Sequence, residues 1–557
     1  MNLTSKQKTA AIILCLVLVG FGVYANSFQN KMFWDDDDGI LKNAYVRDWG
    51  YFPKYFSENL IAGAGLVSNY WRPMLLMMYS TEWQLWGANP VGYHVVDTTI
   101  HIGAAILLFF LLQKLFKLRW LAFLTSLIFL VHPLQTEAVT YVSGRGDPLS
   151  ALFIFAGILC FLEFRDSKWA PIDSPWFYGS IAFYILGLLT KETAIVMVVL
   201  LALCDFFYQE PQLKIRDKGL KIIKSIWPFL IVAGIYITLR ATILNFDNTF
   251  NVYNEETIFT ENFHVRLFTF FKVLTMYVSL LFLPIKLHME RDVPIATSLG
   301  SPEVLLGGGI ALLMLILAFT QIRKRPIISF GIFWFLIKLF PNSNLAVPNS
   351  AIMYEHWMYV PMIGFWLVIL WLLSKLLSSK WVDTFSRSRK SVYAVSVGLF
   401  TAFLIFLGFQ TIGRNAEWRD PITFYGQTMQ FNDKSYRVIN NLAMAYADDE
   451  QHTEAERHYK KAIEIDPNNS VAYHNLANTH KEMGMVELAE QNYIKALELD
   501  PGFFFSYNAL MELYLNEAQK AYEAGDRDRA LLYLSKAQAL DPANSAIRRY
   551  IEAIESQ

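Results

Sequence analysis

Charge is what this chain has least of. Asp, Glu, Lys and Arg make up 17% of its 557 residues, while 54% are hydrophobic. A soluble domain carries nearer a quarter charged residues, so composition excludes an ordinary soluble protein and points to one that crosses a bilayer many times. Cysteine is scarcer still. Cys15, Cys160 and Cys204 are the three present, each inside an apolar run. That excludes a disulfide framework and leaves the redox compartment open. A net charge of −1 gives no electrostatic footprint for nucleic acid. No small-residue cleavage site follows the first apolar run, which therefore reads as a retained span and not a signal peptide. Paired spans broken by Gly or Pro around midplane charges are also missing, which argues against a transporter.

What is present is a very uneven distribution of polarity. Residues 1–412 hold nearly all the long apolar runs, 413–433 form a connector, and 434–557 read as a charged, helical segment. A spanning helix needs about 20 mostly apolar residues. Candidate spans are 9–28, 93–113, 119–132, 148–164, 176–190, 193–208, 225–243, 304–321, 326–341, 357–374 and 391–412, eleven in all. Basic residues collect at 114–119, 213–224, 322–325 and 380–390, and these belong on the cytoplasmic side with Lys6 and Lys8. The run 264–284 then begins and ends outside, as an interfacial or re-entrant segment, and the C-terminal domain lies outside too.

Straight after the first span comes "KMFWDDDDGILKN", with four consecutive aspartates, Asp35 to Asp38. A single Asp at a helix centre costs about 2.5–3.5 kcal/mol on insertion scales, so the run lies at or beyond the interface.

The C-terminal segment repeats. "KKAIEIDP", "IKALELDP" and "SKAQALDP" end at Pro467, Pro501 and Pro542, at intervals of 34 and 41 residues. A 34-residue period with this pattern is the tetratricopeptide signature. The small and aromatic positions fall into register: Leu442, Ala443, Tyr446, Ala455, Tyr459 and Ala462, then Leu476, Ala477, His480, Ala489, Tyr493 and Ala496. The third repeat gives Leu510, Met511, Tyr514, Ala530, Leu534 and Ala537 after a seven-residue insertion, two helical turns, in "NEAQKAYEAGD". Arrays of this kind bind peptides or proteins on a concave face; packing against the membrane domain is the plainer alternative.

Four further segments put charge at the outer ends of spans. They are "VHPLQTEAVTYVSGRGDPLS" with His132, Glu137, Arg145 and Asp147; "LLTKETA" with Lys191 and Glu192; "PIKLHMERDVP" with His288, Glu290, Arg291 and Asp292; and "FPNSNLAVPNSAIMYEHWMYVP" with Asn344, Glu355 and His356. Singly, each reads as a snorkelling or capping residue; together with the aspartates, on one side, they suit sugar transfer from a lipid phosphate to a hydroxyl. A carboxylate accepts the hydroxyl proton, worth about 10²–10⁴ in rate. Cations hold the departing phosphate, where charge builds in the transition state. Aspartate supplies the base, and Arg145, Lys191, Arg291 or His356 the phosphate site. Direct displacement of this kind inverts the anomeric carbon.

At this point the motifs resemble a family, the transmembrane-and-TPR O-mannosyltransferases of the GT-C glycosyltransferase superfamily. The matching pieces run from residue 33 to 420: "WDDDDGILKN", "HPLQTEAVTYVSGRGD", "TKE", "FPNSNL" through "YEHWMYVPMIGF", and "RNAEWRD". The resemblance implies an all-α, polytopic GT-C membrane domain followed by a TPR α-solenoid. It also implies a polyprenyl- or dolichyl-phosphate sugar donor, with mannose the expected sugar, and a Ser/Thr protein acceptor. The family's acidic pair falls on Asp35 and Asp36, either of them the base, with His132, Glu137, Asp147, Glu192, His288, Glu290 and Glu355 in support. Where the family has Glu-Arg before an aromatic pair, this chain has Glu355-His356, so a phosphate role does not carry over directly. No metal or other cofactor is expected to be essential, although adjacent carboxylates leave a divalent cation open. Rival readings are a lipid-pyrophosphate-dependent glycan polymerase or ligase, and a non-catalytic TPR membrane scaffold. Few cysteines and few sequons, Asn468-Asn469-Ser470 among them, favour a bacterial inner membrane with a periplasmic site over the lumenal face of the endoplasmic reticulum.

Overall fold

The structure is a computed structural model that describes residues 4–167, 173–209, 214–246, 257–349, 351–378 and 389–556. The regular structure of the described residues is all helix, without a strand, and the chain divides into two compact units, Met1–Asp420 and Pro421–Gln557.

The main helices of the first unit are α1 (Ser5–Tyr24), α2 (Pro73–Trp86), α3 (Pro90–Phe116), α4 (Arg119–Val131), α5 (Gly146–Asp166), α6 (Pro175–Thr190) and α7 (Met197–Tyr208). They continue with α8 (Ile215–Ala241), α9 (Phe263–Phe282), α10 (Pro302–Thr320), α11 (Pro326–Leu339), α12 (Met362–Leu377) and α13 (Arg389–Glu417). Five of them open on a proline, whose missing N–H is not needed in the first turn. Among the described residues seven helices are long and apolar enough to cross a membrane, eight if the bent pair Arg119–Val131 and Pro133–Val139 is one span. Three shorter apolar helices, Pro175–Thr190, Pro326–Asn342 and Met362–Leu377, join them. The protein is an integral membrane protein.

Polar side chains gather at the two ends of this bundle. At one end Arg119 of α4 donates to Ser5 of α1, Lys114 pairs with Glu163 and Asp166, Arg165 with Asp205, and Lys218 caps Phe206 and Gln209. At the other end Arg240, closing α8, donates to the Asn69 carbonyl in the loop after α1, and His132, closing α4, meets the Leu281 carbonyl at the end of α9. Part of the basic run 380–390 falls on residues outside those described.

α9 passes the length test for a span. Yet Arg266, Thr269 and Val273 line a pocket with Asn342, Ser343, Asn344 and Ile352, and Tyr277 donates to the Tyr354 carbonyl. Residues from both halves of α9 thus abut the segment that follows α11. Where helices approach closely, glycine lets them. A Cβ on Gly364 of α12 would come within 2.1 Å of the Gly331 carbonyl oxygen of α11, so larger residues would force the pair apart.

The second unit is a stack of helical hairpins: α14 (Pro421–Met429), α15 (Tyr436–Asp448), α16 (His452–Ile465), α17 (Ser470–Glu482), α18 (Val486–Leu499), α19 (Phe504–Glu523), α20 (Arg527–Leu540) and α21 (Ser545–Glu555). Ala443, Ala455, Ala462, Ala477, Ala489, Ala496, Ala530 and Ala537 are all fully buried, where a larger side chain would separate the paired helices. The insertion in the third repeat lengthens its first helix, so that α19 has 20 residues where α17 has 13. Each hairpin turns through a left-handed residue. Gly484 (φ 74°) and Gly525 (φ 78°) take it without strain, whereas the first repeat places Glu450 there (φ 59°).

Candidate functional site

The site is built at the end of the first unit that holds the loop after α1. Trp34 takes a left-handed conformation (φ 63°), unusual for a residue with a large side chain, and so turns the aspartate run sharply. Its ring stacks on Tyr141, centroids 5.4 Å apart, and Tyr141 stacks in turn on Trp418 at 5.2 Å. The "RNAEWRD" stretch anchors the loop from the far side of the sequence. Asn415 accepts from Thr140 (2.8 Å) and donates to the Val23 carbonyl (3.0 Å), and the Arg419 carbonyl accepts from the Lys31 N–H (2.9 Å).

The four aspartates diverge. Asp36 is buried, and its carboxylate accepts from the Ser143 N–H (2.8 Å) and hydroxyl (2.5 Å). Burial pushes Asp36 up to about 7, even though the Ser143 bonds favour its charged form. Asp35 is exposed; its backbone N–H donates to the Tyr141 hydroxyl (3.1 Å), and its carboxylate bonds the same phenol. Asp37 pairs with Lys42 at 3.0 Å. Among the described residues no three His, Cys, Asp or Glu side chains converge as a metal site.

Beside this loop lies a line of ion pairs. Arg72, just before α2, makes a two-point contact with Glu192 (2.7 and 3.2 Å), and Lys191 reaches Asp147 at 2.8 Å. Gly146 separates the two cations: a Cβ there would lie 3.6 Å from Lys191 and 3.9 Å from Arg72. Burial favours a neutral Glu192, but the Arg72 charge outweighs it and holds the carboxyl down to about 2. Tyr70 interacts electrostatically with Arg72, Glu192, Asp35 and Tyr354, and Asp147 with Lys191, His356 and Lys338. Residues from four distant segments therefore share one polar region.

Glu355 and His356 knot the remaining segments to it. Buried Glu355 accepts from Arg291 (2.7 Å) and the His288 N–H (2.8 Å) and faces Arg414 at 3.5 Å. Burial raises its pKa, against the pull of Arg414 and Arg291. His356, part-exposed, pairs through Nδ1 with Glu137 at 2.8 Å and stacks on Tyr354. His288 is pushed down to about 4 by burial and by Arg291, so it is neutral at neutral pH. Glu290 sits half-buried in the same loop.

Two residues stand apart from their sequence-based expectations. Arg145, a candidate for the donor phosphate, is fully buried and spent on carboxylates. It donates to both oxygens of Glu82 (2.7 Å each), to Asp97 and to the Tyr93 carbonyl (3.3 Å), over the face of Tyr79. A phosphate would have to displace one of these partners, so here Arg145 belongs to the frame behind the aspartate loop. His132 is likewise framework. Nε2 donates to the Leu281 carbonyl (3.0 Å) and Nδ1 accepts from the Leu134 N–H (3.3 Å), which leaves neither ring nitrogen for a substrate. Conversely, Arg72, Tyr141, Ser143, Lys338 and Arg414 were not among the residues singled out. The only signal for Arg72 was a charge between aromatics and a proline in "YWRP", and for Lys338 a lone charge closing "PIISFGIFWFLIKL".

Comparison with known proteins agrees with this architecture. Two models described as tetratricopeptide repeat match residues 436–469 and 458–491. The chain is similar to the mouse protein O-mannosyl-transferase TMTC1, at 23% identity over 83% of the chain and 58% of the relative. It is similar also to the human protein O-mannosyl-transferase TMTC3 (24%; 85% and 53%) and the Drosophila melanogaster Tmtc3 protein (23%; 86% and 58%). The chain spans a little over half the length of these relatives. These relatives are animal proteins, so the expected bacterial origin draws no support from them.

Proposed function

We propose that this chain is a membrane glycosyltransferase that moves mannose from a polyprenyl- or dolichyl-phosphate donor to a Ser or Thr hydroxyl of a protein, on the extracytoplasmic side. The observation that carries the reading is the exposed Asp35 carboxylate in the same polar region as the cations Arg72, Lys191 and Arg291. In this reading Asp35 is the base, because a base must come within hydrogen-bond reach of the hydroxyl it deprotonates, whereas Asp36 is closed behind Ser143. The acceptor oxygen attacks the anomeric carbon, the bond from that carbon to the phosphate oxygen breaks, and its electron pair leaves with the lipid phosphate. The proton passes to Asp35, and the anomeric centre inverts. Asp36 holds the loop in place through Ser143. Arg72 and Lys191, assisted by Arg291 and His356, stabilise the charge that grows on the phosphate. No step calls for a metal.

The repeats are proposed to bind the acceptor chain and so raise its concentration at the membrane unit to which they are tethered. The test is transfer by the purified protein in lipid nanodiscs, offered mannose on a lipid monophosphate or a sugar on a lipid pyrophosphate. Inverted O-mannosyl product from the monophosphate alone is the expected result. Transfer only from the pyrophosphate would replace this reading with that of a polymerase or ligase, and no transfer from either would favour the scaffold.

A further inference from the structure

Arg72, Lys191, Arg291 and Arg414 in the polar region each have a carboxylate partner, and Lys338 does not. Lys338 lies in the last turn of α11, 8% exposed, and among the described residues makes no hydrogen bond or ion pair. The charged groups that act on it electrostatically are Asp147 and Lys191. These are already matched to each other at 2.8 Å, as Arg72 is to Glu192 at 2.7 Å. A lysine charge with no partner is among the most unfavourable groups to enclose in a membrane protein, and such residues as a rule pair, line a watery cavity or await an ion. The end of a helix is a favourable place for a cation. The helix dipole alone, however, does not account for the burial of the rest of the side chain, which leaves the residue 8% exposed.

We propose that Lys338 binds the phosphate of the lipid-linked donor. This rests on the reading of the chain as a lipid-phosphate-dependent transferase and adds a residue to it. The chemistry fits in two respects. A sugar–phosphate–lipid diester carries one negative charge, the number needed to match one ammonium. When the sugar leaves, the lipid monophosphate acquires a second charge, so the contact strengthens as the bond breaks, which is the condition for catalysis by binding. Lysine, with a compact charge and three rotatable donors, follows such a change without needing the planar geometry that arginine demands.

The experiment uses the full chain in nanodiscs and measures binding of polyprenyl monophosphate, polyprenyl pyrophosphate and uncharged polyprenol to wild type, Lys338→Gln and Lys338→Arg, with inorganic phosphate as competitor. Thermal midpoints are recorded without ligand. Loss of one charge-assisted contact is expected to weaken binding of the monophosphate about 10- to 100-fold in Lys338→Gln. Lys338→Arg should keep most of the affinity, and polyprenol should bind all three alike. The ligand-free Lys338→Gln protein should be no less stable than wild type, because an unmatched charge has been removed. Equal monophosphate binding by wild type and Lys338→Gln would overturn the proposal, as would a lowered midpoint with binding unchanged, the mark of a structural lysine. Inorganic phosphate displacing the lipid as well as unlabelled lipid does would overturn the lipid source. A wild type that prefers pyrophosphate, with that preference lost in Lys338→Gln, would refute the monophosphate donor and still support the assignment of Lys338.

Discussion

Replacing Arg145 by methionine separates the role that its motif suggests from the one that its surroundings impose. The guanidinium is fully buried between Glu82, 4% exposed, and Asp97, 0% exposed. Solvent therefore screens the interaction very little. At an effective dielectric near 20 and a charge separation of about 4 Å, each pairing is worth about 4 kcal/mol before desolvation. Methionine fills a similar volume but leaves both carboxylates enclosed without a counter-charge, and breaking a buried pair in this way costs about 3–5 kcal/mol. Set against a typical total of about 5–15 kcal/mol, that is a severe loss. Thermal unfolding in nanodiscs should show Arg145→Met melting well below wild type. The triple variant Glu82→Gln, Asp97→Asn, Arg145→Met should recover much of the difference, since no charge remains to be matched. An Arg145→Met protein as stable as wild type, with only its affinity for the donor lowered, would refute this reasoning and return Arg145 to the phosphate.

Three more outcomes are expected. The folded protein holds Asp36 at about 7 against an ordinary 3.8, so between those values it keeps a proton that the unfolded chain releases. The stability this gives is complete below about pH 4 and is lost as pH rises towards 7, and Asp36→Asn should flatten the fall in thermal midpoint over that window. Glu450→Gly, at the one repeat turn where a side chain occupies the left-handed region, should stabilise the repeat unit by about 1 kcal/mol in urea unfolding; an unchanged midpoint would show the turn to be relaxed. Deleting 434–557 should weaken transfer to a folded protein acceptor far more than to a short peptide, and equal loss for both would show that the repeats serve only stability.

Helices and repeats were legible because each depends on a local pattern. Apolar runs such as "AGILCFLEF" must lie in a bilayer or a core, and the alanines at Ala455, Ala489 and Ala530 fall in register before a proline that ends each repeat. Even the insertion in the third repeat translated directly into two extra turns of α19. Partnerships across the chain were not legible. Sequence shows that Asp36 and Ser143 are polar, but not that one caps the other from 107 residues away. Arg145 and Arg72 look alike in one dimension; burial gave the first to two carboxylates inside the bundle and left the second beside the aspartate loop. Glu355 illustrates the same limit: it reads as a span-end acid, yet its work is to join the 288–291 loop to α13 through Arg291 and Arg414.

The central claim is that Asp35 takes the acceptor's proton. It is tested most directly by single-turnover transfer from a lipid-phosphate mannose to a peptide hydroxyl, comparing wild type with Asp35→Asn at saturating donor. The account predicts a fall of about 100-fold or more in the transfer rate, with donor binding and thermal midpoint unchanged. An Asp35→Asn protein that transfers at the wild-type rate would contradict it.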